Sequence, residues 1–134
     1  MGRVRINVSF TQTDRPPPPP GQEPATPWRA VSPGYFETMG IPLLAGRLFE
    51  PRDRLGSQPV IVVTQRFAER YYPGEEVLGK PILPDISLGS PEEEPRTVVG
   101  VVEDARYEDP SEIPEPMMYV PQAQVASDYL TVMV

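Results

Sequence analysis

Val31-Ser-Pro-Gly-Tyr-Phe-Glu-Thr-Met-Gly40-Ile-Pro-Leu-Leu-Ala-Gly46-Arg-Leu-Phe49 is the stretch around which the rest of the chain is organised. Ser32 can cap a helix, Pro33 suits its first turn, and Gly40 can end it. The segment Ser32 to Met39 is therefore predicted as a short helix. Tyr35, Phe36 and Met39 recur at spacings of three and four, the stripe that a helix turns toward a core. Ile41 to Ala45 then reads as extended. Pro42 cannot donate to a ladder, which predicts an edge strand. Gly46 closes the run and opens a polar loop, Gly46 to Gln58, holding Arg47, Arg52, Asp53 and Arg54. Asp53 with Arg47 or Arg52 reads as an ion pair that fixes this loop.

Downstream, Val60 to Val63 is an unbroken β-branched run, the pattern of a strand buried on both faces. Thr64 can cap the helix predicted for Gln65 to Tyr72, where Phe67 and Tyr71 share a face. Pro73-Gly74 stops it. Val77 to Lys80 turns into a short strand, Pro81 to Leu83. Pro84 to Pro95 reads as a loop, and Glu92 to Glu94 within it as a solvated charge run. Thr97 to Val102 is the second strong strand, and Gly100 inside it predicts a bulge or a close backbone approach. Asp104 to Pro116 is acidic and irregular. Met117 to Val120 is a short strand, Gln122 to Asp128 a connector, and Tyr129 to Val134 a terminal strand.

Upstream, Arg3 to Phe10 alternates, with Val4, Ile6, Val8 and Phe10 on one face. Period two over eight residues is a half-buried strand, whose partner is expected far away because a long loop follows. That loop, residues 11–27, carries Pro16 to Pro20 in a row. Such a run adopts polyproline II and reads as a stiff, unpacked connector. A short extended piece, Trp28 to Val31, with Trp28 and Ala30 on one face, leads back to the opening stretch. Strands dominate, with two short helices between them. The expected class is α+β, a small mixed sheet of short strands in a single domain over 1–134.

Composition narrows function by exclusion. The chain has 134 residues, 20 prolines, no cysteine and no histidine, and a formal charge of −7. Acidic chains do not displace counterions from nucleic acid. Without cysteine there are no disulfides and no thiolate metal sites. Without histidine the Ser-His-Asp and Cys-His arrangements are gone, so Ser32 and Ser57 lack an activating base. Gly74-Glu-Glu-Val-Leu-Gly79-Lys80 fits G-x-x-x-x-G-K, but Pro81 stands where magnesium needs Ser or Thr. A helix also precedes it and a strand follows, the reverse of a phosphate loop. Asp53, Glu69, Asp104 and Glu108 offer carboxylates for acid–base hydrolysis, but none sits in a distinctive motif. No calcium loop spacing is present. Neither a membrane span nor a signal peptide is visible, and the start reads as that of an excised domain. Catalytic, cofactor-binding and metal-ligating residues are accordingly expected to be none.

Four groups of residues together carry a resemblance. They are Val31 to Gly40; Leu43-Leu44-Ala45-Gly46-Arg47 with Phe49 and Asp53; Val60 to Val63 with Phe67-Ala68, Tyr72-Pro73-Gly74 and Leu78-Gly79-Lys80; and Val98 to Val102 with Asp104, Pro116, Tyr119-Val120-Pro121 and Gln124. Over roughly residues 25 to 134 the chain resembles the MacB-like periplasmic core domain of bacterial ABC-transporter permeases, the FtsX-like class. The resemblance implies a non-catalytic domain on the periplasmic side of the inner membrane, part of a larger permease with four membrane helices. It implies the inserted small α/β subdomain of such a domain, with a little of its porter-like neighbour. It also implies an ATPase domain or subunit, a periplasmic adaptor or lipoprotein, and a dimeric transporter as partners. A free-standing periplasmic binding or adaptor module and a carboxylate-based hydrolase are the alternatives. The exposed loops Arg47 to Ser57 and Asp104 to Pro116 are the expected contact surfaces. The expected core comprises Val60 to Val63, Phe67, Tyr71 and Val98 to Val102, with Tyr35, Phe36 and Leu43.

Overall fold

Seven strands and two short helices organise the described residues. The structure is a computed structural model and describes residues 7–16, 18–19, 21–22, 24–54, 57–84, 95–104 and 116–124. The elements are β1 (Asn7–Gln12), β2 (Ala25–Val31), α1 (Tyr35–Met39), β3 (Leu43–Gly46), β4 (Val60–Thr64), α2 (Gln65–Tyr71), β5 (Pro81–Pro84), β6 (Arg96–Val102) and β7 (Met118–Pro121). A 3-10 turn, Gln122–Gln124, follows β7. The strand order is β3-β6-β4-β7-β2-β1-β5, and β5 returns to pair with β6. Six strands thus close a barrel-like ring, with β3 laid beside β6. β4 runs parallel to β6 and β2 parallel to β7; the remaining pairs are antiparallel.

Closure depends on two strands that change partners along their length. The first half of β1 pairs with β2 (Asn7 opposite Pro27), and the second half pairs with β5 (Gln12 opposite Ile82). On one edge of β6, Gly100 and Val102 face β3, while Arg96 and Thr97 face β5. A closed sheet leaves few unpaired edges for other chains to template on.

The ring has one filled interior. Phe10, Ile61, Val63, Ile82, Val98, Val101, Met118 and Val120 meet in a single buried cluster, joined by Phe67 and Tyr72 from the α2 segment and by half-buried Trp28 and Ala30 from β2. Residues from all six strands of a ring can converge only inside it. Val31, Phe36, Phe49, Val60, Val62, Val102 and Tyr119 form a second cluster on the outer face, covered by α1. β4 is therefore buried from end to end, Ile61 and Val63 facing inward and Val60 and Val62 outward. The two-sided burial expected of Val60 to Val63 is what the structure shows. On β6, Val98 and Val101 share the interior although they are three apart. Strict alternation would separate them, and the irregularity between Ile61 and Val62, where the opposing residue steps from Val98 to Gly100, supplies the extra residue. That is the bulge expected at Gly100.

Several expectations are corrected. β1 has two partners: its first half pairs with the next strand in the chain, β2, across the proline-bearing loop, and only its second half with a distant strand, β5. That loop is shorter than 11–27: Thr11 and Gln12 belong to β1, and Ala25, Thr26 and Pro27 to β2, with Thr26 almost fully buried by its hydroxyl bond to the Pro116 carbonyl, 2.7 Å. The first helix begins at Tyr35; Gly34 stands at its N-cap, and Ser32 contributes its carbonyl to the Tyr35 N–H and no side-chain cap. Gly40 ends the helix in the left-handed region as expected, φ 70°. Leu43 is not core: Met39, Leu43 and Leu44 are all exposed. Leu43 and Leu44 fall on the solvent side because β3 is outermost and pairs only with β6 among the described strands, and Met39 ends α1 on the exposed side. Tyr71 and Val99 are half-buried. Thr64 caps α2 as read, its hydroxyl oxygen accepting from the Phe67 N–H. Arg3 to Ile6, Glu92 to Glu94, Glu108 and Tyr129 to Val134 lie outside the described residues.

Candidate functional site

The opening stretch leads from α1 through β3 into a loop whose foot is a crossing of two backbones. Gly46 adopts φ 77°, and a Cβ placed there would lie 2.1 Å from the Val99 carbonyl oxygen. A Cβ on Gly100 would lie 2.2 Å from the Arg47 carbonyl oxygen. Backbone atoms cannot yield as a side chain can, so only glycine fits at both positions. The crossing is sealed by the Arg47 N–H donating to the Val99 carbonyl at 2.8 Å. Gly100 thus makes both the bulge and the close approach that its position in the strand suggested.

Beyond the crossing, Arg47 folds over the loop. Its Nη1 and Nη2 donate to Asp53 Oδ2 and Oδ1 at 2.9 and 3.1 Å, the fork geometry that arginine matches to a carboxylate. Nη1 also donates to the Leu48 carbonyl at 3.0 Å, and the Glu50 N–H donates to Asp53 Oδ2 at 2.7 Å. Asp53 is 5% exposed. Burial would raise its pKa, but the Arg47 fork and the Glu50 N–H outweigh that and hold the carboxyl below its ordinary value. The loop so tied points Phe49 into the outer cluster and leaves Glu50, Pro51, Arg52 and Arg54 on the surface. The expected loop-fixing pair is Arg47 with Asp53; Arg52 instead meets Glu50 at 2.6 Å on the outside.

The other carboxylates singled out in the sequence do not gather here. Asp104 accepts from the Arg66 N–H at 2.9 Å and so ties the first turn of α2 to the end of β6. Glu69 is exposed on α2, and Glu108 lies outside the described residues. Lys80 of the G-x-x-x-x-G-K match lies 3.8 Å from Asp14 and 3.7 Å from Glu75, with α2 before the segment and β5 after it. Ser57 is engaged with the Arg54 main chain and with Gln124. Among the described residues no group of three His, Cys, Asp or Glu side chains is placed to hold a metal ion, and no helix is long and apolar enough to cross a membrane.

One polar hub was not recognised as such in the sequence, where Gln124 figured only in a resemblance. Its Oε1 accepts from the Val60 N–H at 3.2 Å and from Arg96 Nη1 at 2.9 Å; its Nε2 donates to Ser57 Oγ at 3.1 Å and to the Gln58 carbonyl at 2.9 Å. It thereby joins the 3-10 turn to the starts of β4 and β6. Burial pushes the Arg96 guanidinium down to about 10, which leaves it charged at neutral pH. Four bonds to one buried amide satisfy it completely, but nothing in the spacing of a lone glutamine signals this.

Buried polar groups in this region thus hold backbone to backbone, and the surface beside them is mixed: apolar at Met39, Leu43 and Leu44, charged at Glu50, Arg52 and Arg54. Three solved structures share this architecture. The periplasmic region of MacB from Actinobacillus actinomycetemcomitans is similar with a TM-score of 0.63 and 19% identity, over 95% of this chain and 49% of that one. The extracellular domain of the noncanonic ABC-type transporter YknZ from Gram-positive bacteria gives 0.58 and 18%, over 89% and 51%. A domain of a putative permease protein from Porphyromonas gingivalis gives 0.56 and 21%, over 95% and 54%. The chain spans about half the length of each of these structures. No curated protein matches. The sequence profile of one family does match, and it covers residues 6–134, so it takes in β1 and the proline-bearing loop as well as the stretch from residue 25 that carried the resemblance. With the profile covering all of the described strands and the fold shared with transporter domains, the chain belongs to the family of MacB-like periplasmic core domains.

Proposed function

We propose that this chain is the extracytoplasmic, non-catalytic part of an ABC-transporter permease. In this reading it passes ATP-driven movement of membrane helices to an exported substrate or to partners outside the membrane. The observation that carries it is family membership across residues 6–134. The chemistry is consistent with it: Asp53, Asp104, Thr64 and Gln124 are each engaged by main-chain partners. Such groups hold a shape. A closed sheet with a filled interior also suits a part that must move as a body, because close-packed interiors transmit strain. The partners implied are the remainder of the permease, an ATPase domain or subunit, and an adaptor or lipoprotein in the periplasm, with the transporter acting as a dimer.

The test is topological and uses the full-length protein. The parent gene should encode apolar spans of about 20 residues flanking this segment. Because these 134 residues contain no cysteine, a Glu37→Cys substitution on exposed α1 introduces a single thiol into this segment. In intact spheroplasts it should react with a membrane-impermeant maleimide, above the level of the parent protein. Absence of flanking spans, or labelling only after lysis, would refute the reading.

A further inference from the structure

The loop between β1 and β2 carries the proline run, and its foot is held by contacts across 60 residues of sequence. Arg15 Nη2 and Nη1 donate to Glu75 at 3.0 and 3.3 Å, and Arg15 Nε and Nη2 donate to Asp14, both at 3.1 Å. Lys80 Nζ stands 3.8 Å from Asp14 and 3.7 Å from Glu75. Charges therefore alternate around a four-membered ring: Arg15, Asp14, Lys80, Glu75. The Arg15 guanidinium also lies 4.8 Å over the ring of buried Tyr72, and Gln12 Nε2 donates to the Tyr71 carbonyl at 2.9 Å. Glu75 and Lys80 lie on the connector from α2 to β5, so two segments remote in sequence are joined at one end of the barrel.

We propose that the Asp14–Arg15–Glu75–Lys80 ring is a clasp that presents the proline-bearing loop in one direction from the barrel, making it a strut and not a tether. Its members are partly exposed, with side-chain exposures of 32% for Arg15 and 37% for Glu75. Salt therefore screens the clasp, while the buried barrel beneath it is screened much less. Polyproline is stiff along its own length, but that stiffness does not set the angle at which it leaves the fold. The clasp sets the angle.

Absence of cysteine makes the test clean. Spin labels go on Gln22→Cys in the loop and Glu37→Cys on α1, which flank β2, a seven-residue strand about 23 Å long at ~3.3 Å per residue. Electron–electron dipolar spectroscopy then reads the width of the distance distribution. A narrow distribution is expected at low salt. It should broaden at least twofold with Glu75→Gln or Arg15→Ala, and reversibly in the unaltered clasp at 1 M sodium chloride. Glu75→Gln keeps size on an exposed connector, and the salt series needs no change to the clasp, so loss of folding cannot mimic the result. Equal widths under all these conditions, or a distribution already broad at low salt, would overturn the proposal.

Discussion

Replacing Asp53 by Asn tests whether the loop after β3 is held by charge or merely by packing. The two side chains are nearly isosteric, so no cavity forms. The carboxylate accepts from Arg47 Nη1, Arg47 Nη2 and the Glu50 N–H at 2.9, 3.1 and 2.7 Å. Asparagine offers one acceptor oxygen and turns an NH2 group toward a donor. Hydrogen bonds to a charged group contribute roughly 1.5–3 kcal/mol, and breaking a fully buried pair costs roughly 3–5 kcal/mol. Asp53 is 5% exposed but the Arg47 side chain is 30% exposed, so water recovers part of the loss, and about 2–3 kcal/mol is expected. Urea unfolding should show a lower midpoint at unchanged slope. The pH dependence separates mechanisms. The folded pKa of Asp53 lies below its ordinary value of 3.8. Its stabilisation is thus complete above the unfolded pKa and is lost as pH falls through the lower, folded value. The gap between wild type and Asp53→Asn should stay constant from about pH 6 to 8 and close below about pH 4. A gap under about 0.5 kcal/mol, or one that persists unchanged into acid, would refute the assignment of this loop to the Arg47–Asp53 pair.

Three further outcomes are expected. Gly100→Ala places a methyl 2.2 Å from the Arg47 carbonyl oxygen, and should lower stability by more than about 2 kcal/mol, with faster amide exchange at Arg47, whose N–H donates to Val99. Thr64→Val keeps shape but removes the acceptor for the Phe67 and Met117 N–H groups; a loss of about 1–2 kcal/mol in urea unfolding is expected, and Thr64→Ser should recover most of it. The double substitution Leu43→Ser with Leu44→Ser, on the exposed outermost strand, should change stability by no more than about 0.5 kcal/mol per site, and a larger thermal shift would return these leucines to the core.

Much of the local structure was legible in the residues because its causes are local. The unbroken β-branched run Val60 to Val63 demanded burial on both faces, and it lies between two clusters. Thr64 before an amphipathic segment is a capping signal, and its hydroxyl caps α2. Gly100 within a strand meant a bulge or a close approach, and both occur. Arg47 and Asp53 are near enough in sequence to be paired by the loop between them.

What sequence could not decide was everything set by distant partners. Closure requires β1 and β6 to change neighbours along their length, and no spacing encodes a partner. The exposure of Leu43 follows from β3 lying outermost, since an apolar residue in a short strand looks the same on either side of a sheet. Gln124 and the Arg15 ring join segments 60 or more residues apart. Backbone preference, capping and alternation act over a few residues and are written in order along the chain. Register, closure and polar satisfaction are minimised over the whole molecule, so only the folded structure reveals them.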